Sequence, residues 1–459
     1  MLPKSRRRLT LGAIALSVFA AVPTWGQVIN EDLKLEASDG AGGDKFGWDI
    51  AVDNGIVAVA ARDDDDSGSG LVNSGSVYLF DASTGAQLFM LLAKDRRTND
   101  FFGRSVAMDN GVVAVGANGD DDNGSLSGSA YLFDVITSAQ LRKLLPDDGA
   151  IDDQFGYSIA IDNGVVAVGA RFDDDNGINS GSAYLFDVST GDQLFKLLPS
   201  DGAVGDNFGE SVAIDAGLVV VGAISSDHNG GNSGSAYLFD APTGDQLFRL
   251  LPNDGAASDN FGISVAIDNG VVVVGAWADD DNGSSSGSVY LFDASTGAQI
   301  DKLLASDGAQ NDHLGEFVSI DSGVVAATAS TNGDNGQNSG SAYLFDASTG
   351  TQIAKLLPSD GAMSDFFGES IDIKDGVVVV GAPFEDDPGT DSGAAYVFSA
   401  PGTGCPADLN NDGVLNFFDV SVFLQGFANQ DPIADFTSDG LFNFFDVSAF
   451  LQAFNEGCP

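Results

Sequence analysis

Seven tyrosines, Tyr78, Tyr131, Tyr184, Tyr237, Tyr290, Tyr343 and Tyr396, follow one another at intervals of 53 residues without exception. Each belongs to a copy of one unit. The unit reads Phe-Gly, then SVAID-NG-VVVVGA, then an acidic loop, then SGSAYLFD-STG-QLFKLLPSDGA. The Phe/Leu-Gly pairs start at Phe46, Phe102, Phe155, Phe208, Phe261, Leu314 and Phe367. A period this strict means that one supersecondary unit packs against copies of itself. Chemistry shared equally by seven copies is not a single active site.

Four short strand signals follow one another in each unit. In the third copy they are Ser158 to Ile161, Val165 to Val168, Ser182 to Phe186 and Leu194 to Leu198. Asp162-Asn163-Gly164 joins the first two as a tight hairpin, because Asn and Gly accept positive φ. The unbroken apolar run of the second strand predicts burial on both faces. Ser189-Thr190-Gly191 turns into the fourth strand. Four antiparallel strands in each of seven units predict an all-β, seven-bladed β-propeller over residues 28–399. The last copy stops at Tyr396-Val397-Phe398 and lacks its fourth strand. Asp32-Leu33-Lys34-Leu35-Glu36, before the first Phe-Gly, supplies the missing strand. An N-terminal strand then closes the ring, removes the free edge and brings the count to 28 strands. The anchor Phe is expected to wedge between blades, with its Gly allowing close backbone approach. The Gly-Ala that ends the second strand keeps that contact thin.

These motifs resemble the FG-GAP repeat family, known from integrin α-subunit propellers and many bacterial surface proteins; the bacterial subtype is the nearer. The integrin-like pattern places an Asp-x-Asp-x-Asp-Gly calcium loop between FG and GAP. Here that place holds only Asp-Asn-Gly or similar, as at 162–164 and 268–270. Those calcium ligands and integrin-like adhesion are therefore not implied.

The chain has 67 acidic and 19 basic residues and a formal charge of −48. That balance excludes nucleic acid as a partner and argues against anionic lipid. The loop between strands two and three and the link to the next blade emerge on one face. They carry about half of the acidic residues, including Asp63 to Asp66, Asp120 to Asp122, Asp173 to Asp175, Asp279 to Asp281 and Glu385 to Asp387, with pairs such as Asp201/Asp206 and Asp254/Asp259. Two readings stand: divalent-cation binding by hard carboxylates, or a solvated rim. The sixth copy is worn, with Leu314 for Phe and Thr328-Ala329 for Gly-Ala. His228 and His313 are the only histidines, and no catalytic triad or metal-His set is evident. Enzymes on propellers are expected to break the repeat on one face, and no such cluster stands out in the sequence. Glycan sites want exposed aromatic platforms, and Trp48 and Trp277 are the only propeller tryptophans.

Residues 1–26 read as an export signal. Lys4, Arg6, Arg7 and Arg8 precede an apolar stretch from Leu9 to Val22, with a cleavage site near Gly26-Gln27. Ser5-Arg6-Arg7-Arg8-Leu9 resembles a twin-arginine signal, and general secretion is the other route. The apolar run is too short for a membrane span. Secretion to the exterior or cell surface follows. Cys405 and Cys458 are the only cysteines, and in an exported chain they are expected to pair. The 53-residue loop they enclose would gain roughly 4 kcal/mol in the chain-entropy model.

After a linker at 400–404, the segment 405–459 carries the most specific chemical motif. Asp408, Asn410, Asp412, Asn416 and Asp419 take positions 1, 3, 5, 9 and 12 of a calcium loop, with Gly413 at the sharp turn and the Val414 carbonyl at 7. A second loop uses Asp435, Thr437, Asp439, the Leu441 carbonyl, Asn443 and Asp446. Position 12 is Asp where an EF-hand has Glu, and no helix signal precedes either loop. This loop-helix duplication resembles a dockerin, of the bacterial type flanked by Gly404-Cys405 and Gly457-Cys458. The resemblance implies two bound calcium ions and a cohesin-like or cell-surface partner. Its recognition positions fall on Phe417, Phe418, Phe444 and Phe445, with one phenylalanine of each loop expected to face the partner. The readings of the whole chain are three. It is a secreted non-catalytic binding propeller on a calcium-dependent anchor, a carbohydrate-active component with glycan on the propeller, or a purely structural surface protein. A glycan or a protein is the propeller's expected ligand.

Overall fold

The computed structural model describes residues 27–65, 70–387 and 389–401, and in the C-terminal segment 407, 409, 415, 417–429, 434, 436 and 442–456. Two N-terminal strands, β1 (Gln27–Ile29) and β2 (Leu33–Leu35), precede the first blade, β3 (Phe46–Asp53), β4 (Ile56–Ala61), β5 (Ser76–Asp81) and β6 (Gln87–Leu91). The same four-stranded antiparallel sheet recurs seven times, and in the first six blades its four strands follow one another in sequence order. In blade three the strands run Ser158–Asp162, Val165–Ala170, Ser182–Asp187 and Gln193–Leu197. Their hairpin is built at Asn163 and Gly164, with φ of 46° and 82°. Such a turn matches the twist of the strands it joins.

The ring closes as the sequence predicts. β2 is the outermost strand of blade seven, with Leu33 opposite Val397, Lys34 opposite Tyr396 and Leu35 opposite Ala395. The strand count differs from 28. β1 adds a fifth strand to blade six, parallel to its outer strand, with Gln27 opposite Ala354 and Ile29 opposite Leu356. The N-terminal segment therefore straddles two blades and covers an edge that the repeat leaves open.

The core lies between the blades. Val77, Leu79 and Leu91 of blade one share a buried cluster with Phe102, Val113, Val115, Tyr131 and Phe133 of blade two. Each anchor Phe meets the Tyr and Phe of its own third strand edge-on; Phe155 lies 5.5 Å from Tyr184 and 5.7 Å from Phe186. The glycines are required by sterics. A Cβ on Gly156 would strike the Ser129 carbonyl of blade two, and one on Gly169 the Gly209 carbonyl of blade four. In blade six Leu314 fills the anchor site and is buried. Tyr343 and Phe345 then stack at 6.4 Å and 29°, unlike the edge-on pairs elsewhere.

The C-terminal segment contains two helices, α1 (Phe417–Asn429) and α2 (Phe444–Glu456). Phe423 and Phe450 stack at 4.1 Å and 5° at the centre of a small apolar cluster with Ala407, Ala434, Phe427, Phe436, Phe442 and Phe454. The equivalence of Phe423 and Phe450 follows the sequence duplication. Among the described residues no helix is long and apolar enough to cross a membrane. The expected export signal at 1–26, Asp66 and the expected Cys405–Cys458 pair lie outside the described residues.

Candidate functional site

Three places carry chemistry: the acidic face, the C-terminal module and one mouth of the central channel.

On the acidic face, the two acidic loop sets meet. They meet around a cation that the sequence reading overlooked. In blade five, Lys302 reaches past the Tyr290 ring, 4.9 Å from its centroid, to Asp254 at 2.9 Å, Asp279 at 3.1 Å and Asp281 at 2.6 Å. Lys143 does the same with Asp95, Asp120 and Asp122, and Lys196 with Asp148, Asp173 and Asp175. Lys355 pairs with Asp307 and Asp334, Lys34 with Asp360 and Glu385, and Arg249 with Asp201 beside His228. Burial pushes the Asp254 carboxyl up, but the hydrogen bond and charge of Lys302 more than offset this and hold it below the ordinary carboxylate range. The signal was present in sequence: Lys or Arg recurs near the end of the fourth strand at the 53-residue interval. Blade one departs from it with Met90. Oxygens of Asp95, Asp120 and Asp122 lie within 4.8 Å of one another, a spacing that suits a divalent ion. Lys143 places its ammonium among them.

In the C-terminal module Asp419 and Asp446 are the third residues of their helices, and both are fully buried. The Asn443 N–H donates to Asp446 Oδ2 at 2.8 Å. Phe417 and Phe444 are 75% and 77% exposed at equivalent positions. The side chains of Phe418 and Phe445 lie outside the description, as do Asp408, Asn410, Asp412, Val414, Asn416, Asp435, Thr437, Asp439 and Leu441.

The third place corrects the expectation that no cluster breaks the repeat. Three register positions vary from blade to blade while their neighbours repeat. The residue after Phe-Gly is Trp48, Arg104, Tyr157, Glu210, Ile263, Glu316 and Glu369 in blades one to seven. The residue after the second strand is Arg62, Asn118, Arg171, Ile224, Trp277, Ser330 and Pro383. The residue before Phe-Gly is Lys45, Phe101, Gln154, Asn207, Asn260, His313 and Phe366. The first strand of every blade lines the channel. These positions, at the start of strand one and the end of strand two, therefore ring its mouth on the acidic face. Scattered along the chain at 53-residue intervals, they do not look like a cluster until the blades are closed into a ring.

Their contacts run from blade to blade. The Arg62 guanidinium lies 3.3 Å from the Trp48 ring centroid. Arg104 lies 5.8 Å from Trp48 and 3.8 Å from Tyr157, whose ring also takes Arg171 at 3.7 Å. Such stacking is favourable on the ring face and leaves the in-plane N–H groups free to donate. Arg171 pairs with Glu210 at 3.2 Å, and Lys45 with Asp63 at 2.8 Å. Across the ring, Trp277 meets His313 edge-on at 4.5 Å. The Ser330 hydroxyl donates to Glu316. Burial first, and the charge of Glu316 second, push the Glu369 carboxyl up. Burial likewise raises Asp49 to about 7 and Asp372 to about 6 in the channel wall.

The position before Phe-Gly is left-handed in every blade, with φ between 50° and 61°. Asn207 and Asn260 suit it, because asparagine tolerates this region. Lys45, Phe101, Gln154, His313 and Phe366 do not, and hold it at a conformational cost. The opposite mouth differs. Its ring of Asp109, Asp162, Asp215, Asp268 and Asp321 accepts backbone N–H groups from the next blade's turn, at 2.9 to 3.0 Å. Those carboxylates are inter-blade staples.

A seven-bladed propeller of near-identical repeats, with its variable side chains gathered at one mouth, is consistent with a binding or interaction protein. The FG-GAP repeat model matches residues 29–80, 87–133, 139–186, 192–239, 245–292, 298–345 and 351–398. The chain belongs to the FG-GAP repeat family. Six of the seven matched segments begin near a fourth strand and end in the third strand of the following blade, the same offset that lets β2 close the ring. No curated protein matches the chain.

Proposed function

We propose that this chain is an exported binding protein. Its propeller presents the mouth of the central channel to a ligand, and its C-terminal module attaches the propeller to an extracellular or cell-surface partner through calcium. One observation carries the ligand site: the side chains that break the repeat converge at a single mouth. The repeat letters are occupied by packing, so the variable letters are the ones free to serve recognition.

The anchor is supported by different residues. Asp419 and Asp446 stand at position 12 of the two calcium loops and are buried at the helix starts. Phe417 and Phe444 are exposed large apolar side chains at recognition positions, as expected of a docking surface. Calcium would bind through the loop carboxylates and order the loops ahead of each helix. The FG-GAP propeller itself fits a binding or interaction role.

Pull-down from the cell-envelope fraction of the source cells tests the anchor, with the full chain compared with Asp408→Ala/Asp435→Ala. Capture is expected in calcium and lost in chelator and in the variant. Equal capture with and without chelator overturns the anchor. A glycan and protein array, probed with the full chain and with Trp48→Ala/Arg104→Ala, tests the mouth. Signals unaffected by the double substitution overturn the ligand site.

A further inference from the structure

Arg104 is the exception among the basic side chains. The chain has 67 carboxylates and 19 basic residues. Among the described lysines and arginines, Arg104 alone makes neither an ion pair nor a side-chain hydrogen bond. Its only contacts of this kind are the ring faces of Trp48 and Tyr157. Its neighbours in the stack are already neutralised: Arg62 by Asp63 at 3.2 Å and Arg171 by Glu210. The stack fixes the plane of the Arg104 guanidinium and covers its face. The five N–H donors at its edge are left without a protein acceptor. In the same blade, the Asn118 amide oxygen is buried without a hydrogen-bond partner.

A fixed, unpaired guanidinium edge is the complement of a carboxylate, which it binds in a two-pronged fork. The rest of the mouth says what carries that carboxylate. Trp277 stands in blade five, across the channel from Arg104, and is partly exposed, whereas a face of Trp48 is already taken by Arg62. Indole faces suit the C–H faces of a sugar ring. Glu316 and Glu369 stand at the same register position of blades six and seven and bring carboxyl oxygens to the mouth, where sugar hydroxyls can donate to them. The surroundings set a limit as well. A face crowded with carboxylates, on a chain of charge −48, repels polyanions at long range. A ligand with one acidic group and many hydroxyls escapes that penalty.

We propose that the channel mouth seats a uronic-acid residue of an otherwise neutral oligosaccharide, its carboxylate on Arg104, the neighbouring sugars reaching Trp277 and their hydroxyls on Glu316 and Glu369. The proposal rests on the mouth being the ligand site and adds the class of ligand.

The propeller has a built-in probe. The chain's three tryptophans are Trp25, Trp48 and Trp277. In the full chain carrying Trp25→Phe, only the two at the mouth emit. Titration with a glucuronate-substituted xylo-oligosaccharide is expected to change the emission saturably. The unsubstituted xylo-oligosaccharide of equal length should bind at least about tenfold more weakly, the worth of one charge-assisted fork. Arg104→Gln should bring the two sugars to equal affinity. Arg104→Lys should lose most of the preference while keeping the charge, which separates the fork from simple attraction. Unchanged circular dichroism confirms that both variants fold. Equal binding of the two sugars by the parent, or an undiminished preference in Arg104→Gln, overturns the proposal. Tighter binding of a dipeptide than of the uronate sugar assigns the carboxylate to a peptide and also overturns it. If the array finds mouth-dependent signals that contain no uronate, the ligand site stands and the uronate assignment fails.

Discussion

Replacing Lys302 with Met removes one charge and keeps the apolar stem that lies along Tyr290. The register position already carries Met in blade one, at Met90, so the substitution has a precedent within the chain. Lys302 and Asp279 have side-chain exposures of 14% and 6%, whereas Asp254 and Asp281 are each 49% exposed. Only the contact with Asp279 is a buried pair. Removing one partner of a buried pair costs about 3–5 kcal/mol, and exposed pairs add about 0–1 kcal/mol each. Asp279 keeps its hydrogen bonds from Ser288 and Tyr290, both at 2.8 Å, which places the loss at the low end, about 3 kcal/mol. An unfolding entropy of about 2 cal/mol/K per residue over a propeller of this size turns that into a fall in Tm of about 4 °C. Differential scanning calorimetry at pH 7 reads it directly. The Asp254 carboxyl is held low in the folded state by Lys302. Its stabilisation is therefore present above the unfolded pKa and disappears as pH falls through the folded one. The difference between the two proteins should accordingly shrink below about pH 4. Millimolar calcium should restore part of the loss in the variant, since three carboxylate oxygens converge on the point the ammonium leaves. A variant that melts within about 1 °C of the parent at pH 7, or a gap that persists undiminished in acid, would refute the view that these lysines hold the acidic face together.

Three further outcomes follow from the same structure. Phe155→Ala empties an inter-blade site and should cost about 3–5 kcal/mol, read by urea denaturation, with unchanged stability counting against the wedge. Leu35→Ala, in the strand that closes blade seven, should cost about 2–4 kcal/mol and speed proteolysis near both ends of the propeller. Asp49 and Asp372, raised to about 7 and about 6 by burial, hold protons more tightly folded than unfolded. Their stabilisation is complete below the unfolded pKa of about 4 and is lost as pH rises through 6 and 7. Asp49→Asn should therefore flatten the decline of Tm between pH 5 and 8.

Much of this architecture was legible in sequence because the repeat multiplies every signal by seven. Strand boundaries in blade three, the Asn163-Gly164 hairpin and the closing strand at Leu33 to Leu35 all rest on local chemistry that one copy states and six repeat. β1 was missed because Gln27-Val28-Ile29 is too short to signal a strand, and its pairing with blade six depends on ring closure. The lysines of the acidic face were missed for a different reason. Lys302 is nearly 50 residues from Asp254 in sequence, and its proximity follows only once strand four of one blade lies beside the link from the blade before. The mouth was the least legible part. Trp48, Arg104 and Tyr157 are spaced like any repeat position, and only closure turns seven unlike letters into one surface. The stretch 405–459 shows the reverse case: the spacing of its acidic and Asn residues is local and readable, whereas the partner proposed for it is not written in the chain.

On the proposed function, repeat letters build the scaffold and mouth letters serve a ligand. Side chains kept for binding at left-handed or charge-crowded positions should be a burden to the fold. The triple variant Phe101→Asn, His313→Asn and Glu369→Gln gives two of these positions the residue that blades four and five already use, and it removes the buried like charge beside Glu316. Its thermal unfolding, measured beside that of the parent chain, is the direct test. The expected Tm lies at or a few degrees above the parent's, at about 0.5–1 kcal/mol per relieved position, with ligand binding lost. A Tm several degrees below the parent's would contradict it, because these side chains would then be part of what holds the ring together.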